Sequence, residues 1–158
     1  MVFHAVIKIT LFFGVGAIHY KMHRDYVPDI EGTAPMMPVV FSTFLTASLG
    51  LMGVPPLAGF SSKWMLATSC TALQTPLGYL GAAALIASAI LTAMYLMQIV
   101  MLAFFPRQHP VAPGRLPRHA RRDPNFRMTL PLVVLAVVSV LLGLGAGWLT
   151  GAIQSLIF

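Results

Sequence analysis

Two lysines stand where lysines are costly. Lys8 lies inside the apolar run VFHAVIKITLFFGVGAIHY, and Lys63 closes the run SLGLMGVPPLAGFSSK. An ammonium at the centre of a bilayer costs about 2.5–3.5 kcal/mol on insertion scales, so it normally faces protein or a water-filled path. On a 3.6-residue helix His4, Lys8, Phe12, Val15 and His19 share one narrow sector, with His4 and His19 about 22 Å apart along the axis. Histidine exchanges protons near neutral pH, and a desolvated lysine does so too. A helix face with such groups suits proton or ion conduction. The plainer reading is that His4 and Lys8 snorkel to nearby headgroups. His19, close to a membrane surface, reads as an ordinary interfacial histidine.

Lys63 follows a break in the chain. Pro55 and Pro56 remove two backbone donors, while Gly53 and Gly59 relax the backbone around them. Irregular backbone at membrane depth is tolerated only against protein or a water-filled cavity, and discontinuous helices beside a charge recur at transport sites. Ser61 and Ser62 add hydroxyls next to Lys63. The competing reading makes PPLAG a surface turn and Lys63 a headgroup anchor.

The elements that must position these groups are membrane helices. Of 158 residues, 58% are hydrophobic and 9% charged, and the mean hydropathy is +0.83. Soluble domains carry about 25% charged residues, so a soluble enzyme, a disordered tail and a coiled coil are excluded. The net charge of +6 does not indicate nucleic acid. Arg107, Arg115, Arg118, Arg121, Arg122 and Arg127 crowd between two apolar runs, as in a membrane-flanking loop. The single Cys70 sits in an apolar segment and permits no disulfide within the chain.

A helical span needs about 20 apolar residues. Five candidates follow, at roughly 2–20, 36–54, 59–74, 77–105 and 128–157. A signal peptide at 2–20 is disfavoured because HYKMHRDY follows it without a small-residue cleavage site. By the positive-inside rule the 106–127 loop is cytoplasmic. Counting back through the four preceding spans puts the N-terminus and the 55–58 turn on that side as well. The 21–35 loop, with no basic excess, and the turn before residue 77 are then external. Tyr20, Tyr79 and Trp148 read as interfacial anchors at outer ends.

The fourth helix carries a stripe of small and polar residues, Gly81, Ala84, Ser88, Thr92 and Tyr95, on one face. Close helix packing explains it better than a minor proton path. Gly143 and Gly147 have GxxxG spacing, a weak packing signal. The ten methionines suit adaptable packing. Walker A, Rossmann, CxxC and HExxH motifs are absent from the sequence. No cofactor, metal site or catalytic residue is expected.

The runs FHAVIKITLFFGVGAI, MPVVFSTFLTASLGLMGVPPLAGFSSKWML and LTAMYLMQIVMLAFFP resemble the later helices of the antiporter-like membrane subunits. These are the proton-pumping subunits of respiratory complex I, with relatives in multisubunit sodium/proton antiporters and membrane-bound hydrogenases. The resemblance spans about residues 3–145, and the ordered HAxxKxxLF and GxPPLAGFxSK motifs are specific together. It implies inverted-repeat helical bundles of about 14 spans, of which this chain supplies the last five. It also implies that His4 and Lys8 lie on a central hydrophilic axis, with Lys63 at the outlet end of a proton path. Trp64 stands where close relatives of the antiporter large subunit carry an acidic residue, so SKWML looks more like the antiporter D-type subunit. The family's glutamate–lysine pair on earlier helices has no counterpart in these 158 residues.

The expected fold is therefore all-α, a polytopic helical bundle discontinuous around Pro55–Pro56. The 158 residues read as a single transmembrane domain, about the C-terminal third of a larger subunit. The expected function is proton or cation/proton translocation through Lys63, Lys8 and His4, within a complex-I-like oxidoreductase or a multisubunit antiporter in the inner membrane. The alternative is a non-conducting structural subunit or remnant of that family. Expected partners are other membrane subunits, including a segment with the first repeat, and the lipid bilayer.

Overall fold

The computed structural model describes residues 2–23, 26–105 and 123–147. Arg107, Arg115, Arg118, Arg121, Arg122 and Trp148 lie outside them. The five expected helices are present: α1 (Val2–Met22), α2 (Pro38–Met52), α3 (Ala58–Ala72), α4 (Pro76–Phe104) and α5 (Phe126–Leu144). Three of them, α1, α4 and α5, are long and apolar enough to cross a membrane. Helix starts follow local chemistry. Pro38 and Pro76 occupy first-turn positions that need no donor. The Thr75 hydroxyl accepts the Gly78 N–H at 3.2 Å as the N-cap of α4.

The two short helices revise the expected count of crossings. Helices α2 and α3 have 15 residues each, about 22 Å, too short for a hydrocarbon core of about 30 Å. They run successively along α4, antiparallel to it. Phe41 stacks edge-on against Phe104, and Met52 packs with Leu96 and Val100. Lys63 and Leu66 then line one cleft with Leu85 and Ser88, and Cys70 closes on Gly78 and Gly81. Placed end to end, the pair matches the 29-residue α4, about 43 Å long. Residues 36–54 and 59–74 are thus two halves of one traverse, and the 53–57 turn is a break within it.

This changes the sidedness. The α1–α2 connection sits at the same end as the flanks of the arginine loop, not opposite to it. The Gly32 N–H donates to the Leu102 carbonyl at 3.1 Å. The Asp123 carboxylate accepts from the N–H groups of Val40 (3.1 Å) and Val39 (3.4 Å), where α2 starts. Ile30, Ala34 and Met37 share a core cluster with Ala103 and Leu132. Four traverses in place of five reverse the parity. The N-terminal end of α1 and the 55–58 turn therefore lie away from this end. Tyr20 and Tyr79 do not mark one surface either: Tyr20 ends α1 beside the arginine flanks, and Tyr79 opens α4 at the far end.

The core lies among α1, α2, α5 and the C-terminal half of α4. Gly14 lets α1 approach α2, its Cβ position lying 3.3 Å from Phe44 Cδ2. Many large apolar side chains point outward, among them Phe12, Leu77 and Leu130, as lipid or further protein requires and water does not.

Candidate functional site: a lysine cleft at a broken helix

The break is built by three glycines. Gly53 ends α2 with φ +92°, a conformation that L side chains rarely adopt. A Cβ on Gly59 would run into the Gly50 carbonyl oxygen, so only glycine lets the start of α3 meet the end of α2. A Cβ on Gly143 of α5 would run into the backbone of Pro56, Leu57 and Ala58. The 56–58 turn is therefore seated against α5.

Helix ends leave four carbonyls without intrahelical partners, and lipid offers them no water. At the end of α2 all four are accounted for. The Gly53 and Val54 N–H groups donate to Leu49 O, both at 3.1 Å, and the Gly53 N–H also reaches Gly50 O at 3.2 Å. The remaining two carbonyls, Leu51 and Met52, accept from Lys63 Nζ at 2.9 and 2.8 Å. The ammonium thus sits at the negative end of the α2 dipole, where a cation is favoured. Spacing alone did not reveal this partner. A glycine before two prolines marks a helix end, but which donor reaches the freed carbonyls depends on how α3 folds back.

Lys63 lines a cleft of about 430 Å³. From α1 come His4 and Lys8; from α3 come Gly59 and Ser62; from α4 come Ser88, Thr92 and Tyr95. Ser88 and Thr92 flank Ile90, the midpoint of α4, so the cleft lies midway along the longest helix. That depth argues against Lys63 as a headgroup anchor on a surface turn. The α4 stripe divides. Gly81 packs on Cys70 Sγ, whereas Ser88, Thr92 and Tyr95 face the cleft instead of a closed helix seam. Thr92 Oγ1 bonds back to Ser88 O at 2.7 Å.

Other anticipated residues stand apart. Pro55 and Pro56 form the exposed turn and do not line the cleft; Ser61 is half-buried beside it. His19 lies at the opposite end of α1, its ring 6.4 Å from that of His23. Among the described residues no group of three His, Cys, Asp or Glu gathers. The described acidic residues, Asp29, Glu31 and Asp123, lie at the arginine-flank end. Among the described residues the cleft presents lysines and hydroxyls, with no carboxylate at its walls.

The sequence pattern of the family described as "NADH:quinone oxidoreductase/Mrp antiporter, TM" matches residues 1–92. These residues contain the α1 face, the break and most of the cleft. The chain is 32% identical over 149 residues to NADH-quinone oxidoreductase subunit N of Desulforudis audaxviator, covering 89% of this chain and 29% of that protein. It is 35% identical over 142 residues to NADH-quinone oxidoreductase subunit L of Mycobacterium tuberculosis, covering 89% and 22%. Na(+)/H(+) antiporter subunit A1 of Staphylococcus aureus is 32% identical over 157 residues, covering 95% and 19%. The chain thus spans about a fifth to three-tenths of the length of these relatives. The match of more than half the chain, across the residues that build the lysine cleft, places it in the NADH:quinone oxidoreductase/Mrp antiporter transmembrane family.

Proposed function

We propose that this chain supplies the Lys63 segment of a proton or cation/proton path in an antiporter-like membrane subunit. The observation that carries the reading is the bonding of Lys63 Nζ to Leu51 O and Met52 O at the wall of a cleft shared with His4 and Lys8. An ammonium has three donors. Two are held by the carbonyls, and the third remains for the cleft. After that proton leaves, the amine still has two N–H groups for the two carbonyls and gains a lone pair. Lys63 can therefore exchange a proton without releasing the end of α2. Lys8 is the relay across the cleft and His4 its neighbour. Ser62, Ser88, Thr92 and Tyr95 offer hydroxyls to the water between them. A charge on either lysine disfavours a charge on the other across a space of low dielectric, and this couples the two steps.

Among the described residues the cleft has no acidic lining residue, and on this reading other parts of the assembly supply the remaining charged groups. These are a segment carrying the first repeat and other membrane subunits, in a complex-I-like oxidoreductase or a multisubunit antiporter. With the arginine-rich 106–127 segment on the cytoplasmic side of an inner membrane, the α1–α2 connection is cytoplasmic too. A second reading, a non-conducting structural subunit, has one observation in its favour: the two carbonyl bonds suffice to explain Lys63 as a helix cap.

Lys63→Arg separates the two readings in the complete protein assembled in its native membrane. Arginine donates to carbonyls but does not deprotonate. The expected result is normal assembly with proton translocation lost. Wild-type translocation by Lys63→Arg would reduce Lys63 to a cap. Lys63→Ala also stops translocation, but it strips two carbonyls of their donor and weakens assembly as well.

A further inference from the structure

Away from the lysine cleft, the seam between α1 and α5 carries two adjoining hollows at the arginine-flank end. The first, of about 610 Å³, is an apolar trough walled by Phe12, Phe13, Gly16 and Ala17 of α1 and by Met128 of α5; His19, Tyr20 and His23 close its upper end. The second, of about 470 Å³, is polar and is walled by Tyr20, Lys21, His23 and Asn125. Tyr20 and His23 line both, so the trough leads directly into the polar hollow. Among the described residues no carboxylate lines either one. Asp123, close by in sequence to Asn125, is bonded to the N–H groups of Val39 and Val40.

Shape, length and charge together select an occupant. Gly16 keeps the floor of the trough open, since a Cβ there would meet nothing within 4 Å. Helix α1 is long and apolar enough to cross a membrane, and Phe12 lies about 14 Å along its axis from Lys21. That is close to half of a hydrocarbon core of about 30 Å. The charge at the upper end is positive. Lys21 lines the polar hollow, and the exposed Arg127 precedes Met128 on α5. Asn125 is the N-cap of α5 and its side chain makes no cap hydrogen bond, so the positive end of that helix dipole lies at the same place. A protein helix packed along the trough would cover its apolar wall but bring no anion to the polar hollow. An acyl chain beneath a phosphate meets both requirements.

We propose that the α1–α5 seam holds an anionic phospholipid, with one acyl chain over Gly16 and Met128 and its phosphate at Lys21, His23 and Asn125. Lys21 supplies charge and donors, and Asn125 supplies amide donors. The lipid ties α1 to α5 at the end remote from His4 and Lys8. The proposal does not depend on the proton-path reading of the cleft.

The test uses the complete protein in its native assembly, stripped of lipid in detergent and then offered phosphatidylglycerol or phosphatidylcholine. Lipids bound to the assembly are counted by native mass spectrometry for wild type, Lys21→Gln and Gly16→Leu, and a structure of the wild type is determined in nanodiscs containing phosphatidylglycerol. Wild type should retain phosphatidylglycerol in preference to phosphatidylcholine. Lys21→Gln should weaken phosphatidylglycerol binding about fivefold, the effect of one basic residue near a membrane surface, and leave phosphatidylcholine unchanged. Gly16→Leu fills the trough and should lose the lipid whatever its headgroup. The structure should show elongated density along Gly16 and Met128 that ends beside Lys21. Equal retention of the two lipids by wild type overturns the proposal, as does undiminished binding in Lys21→Gln and Gly16→Leu. A protein helix lying in the trough overturns it too, because the seam is then an interface between segments of the assembly.

Discussion

Gly143→Ala and Gly147→Ala form a matched pair that tests how the break is held. In the sequence they are equivalent halves of one GxxxG spacing. In the structure they are opposites. A Cβ on Gly143 would lie 2.5 Å from Ala58 N and 2.6 Å from Leu57 C, and closer still to Pro56 O. These are backbone atoms of a turn and cannot rotate aside, so α5 must retreat by about 1 Å to restore ordinary contact. Overpacking of this kind costs about 1–3 kcal/mol, and a rigid backbone neighbour puts the cost at the upper end. The gain in helix propensity from glycine to alanine, about 0.8–1 kcal/mol, offsets part of it. The expected net loss is about 2 kcal/mol. A Cβ on Gly147 meets nothing within 4 Å, so Gly147→Ala is neutral or gains up to about 1 kcal/mol. Denaturant titration of the complete protein in detergent, followed by helix signal, measures the difference. Proton translocation should fall with stability in Gly143→Ala alone, because the 56–58 turn leads directly into α3 and Lys63. Equal unfolding midpoints for the two variants would refute the seating of the turn on α5.

Three further outcomes follow from the same geometry. Asp123→Ala removes the carboxylate that caps the start of α2; it should cost about 1 kcal/mol, and Asp123→Asn, which keeps an acceptor, should cost clearly less in the same titration. Gly53→Ala places a side chain at φ +92° and a Cβ 3.1 Å from Lys63 Cδ. It should lose at least 1–2 kcal/mol, roughly, from backbone conformation and should lower translocation by displacing Lys63. Thr75→Ala deletes the α4 cap and should cost about 1 kcal/mol of stability while leaving translocation per assembled protein unchanged, since Thr75 is far from the cleft.

Much of this molecule is written locally. Apolar length and composition determine the order of helices, because lipid demands that each backbone group be paired within its own segment. Pro55, Pro56 and the flanking glycines determine that the chain breaks before Lys63, since they remove donors and free the backbone whatever surrounds them. The motifs around His4, Lys8 and Lys63 determine the family. These three lysine and histidine positions do meet one cleft, together with Ser88, Thr92 and Tyr95, whose hydroxyls a stripe of small residues had suggested for packing.

Long-range contacts decided the rest. Hydropathy alone does not distinguish two short spans from two halves of one, because both have the same apolar length. Only the run of α2 and then α3 along α4 settles it, and with it which loops share a side. Which cation caps the end of α2, which carboxylate caps its start from 84 residues away and which glycine of a GxxxG pair is in contact are properties of helix ends brought together. The identity of a residue fixes its donors, acceptors and bulk; its partner is fixed by packing among distant segments, and at Lys63, Asp123 and Gly143 that packing carries the meaning.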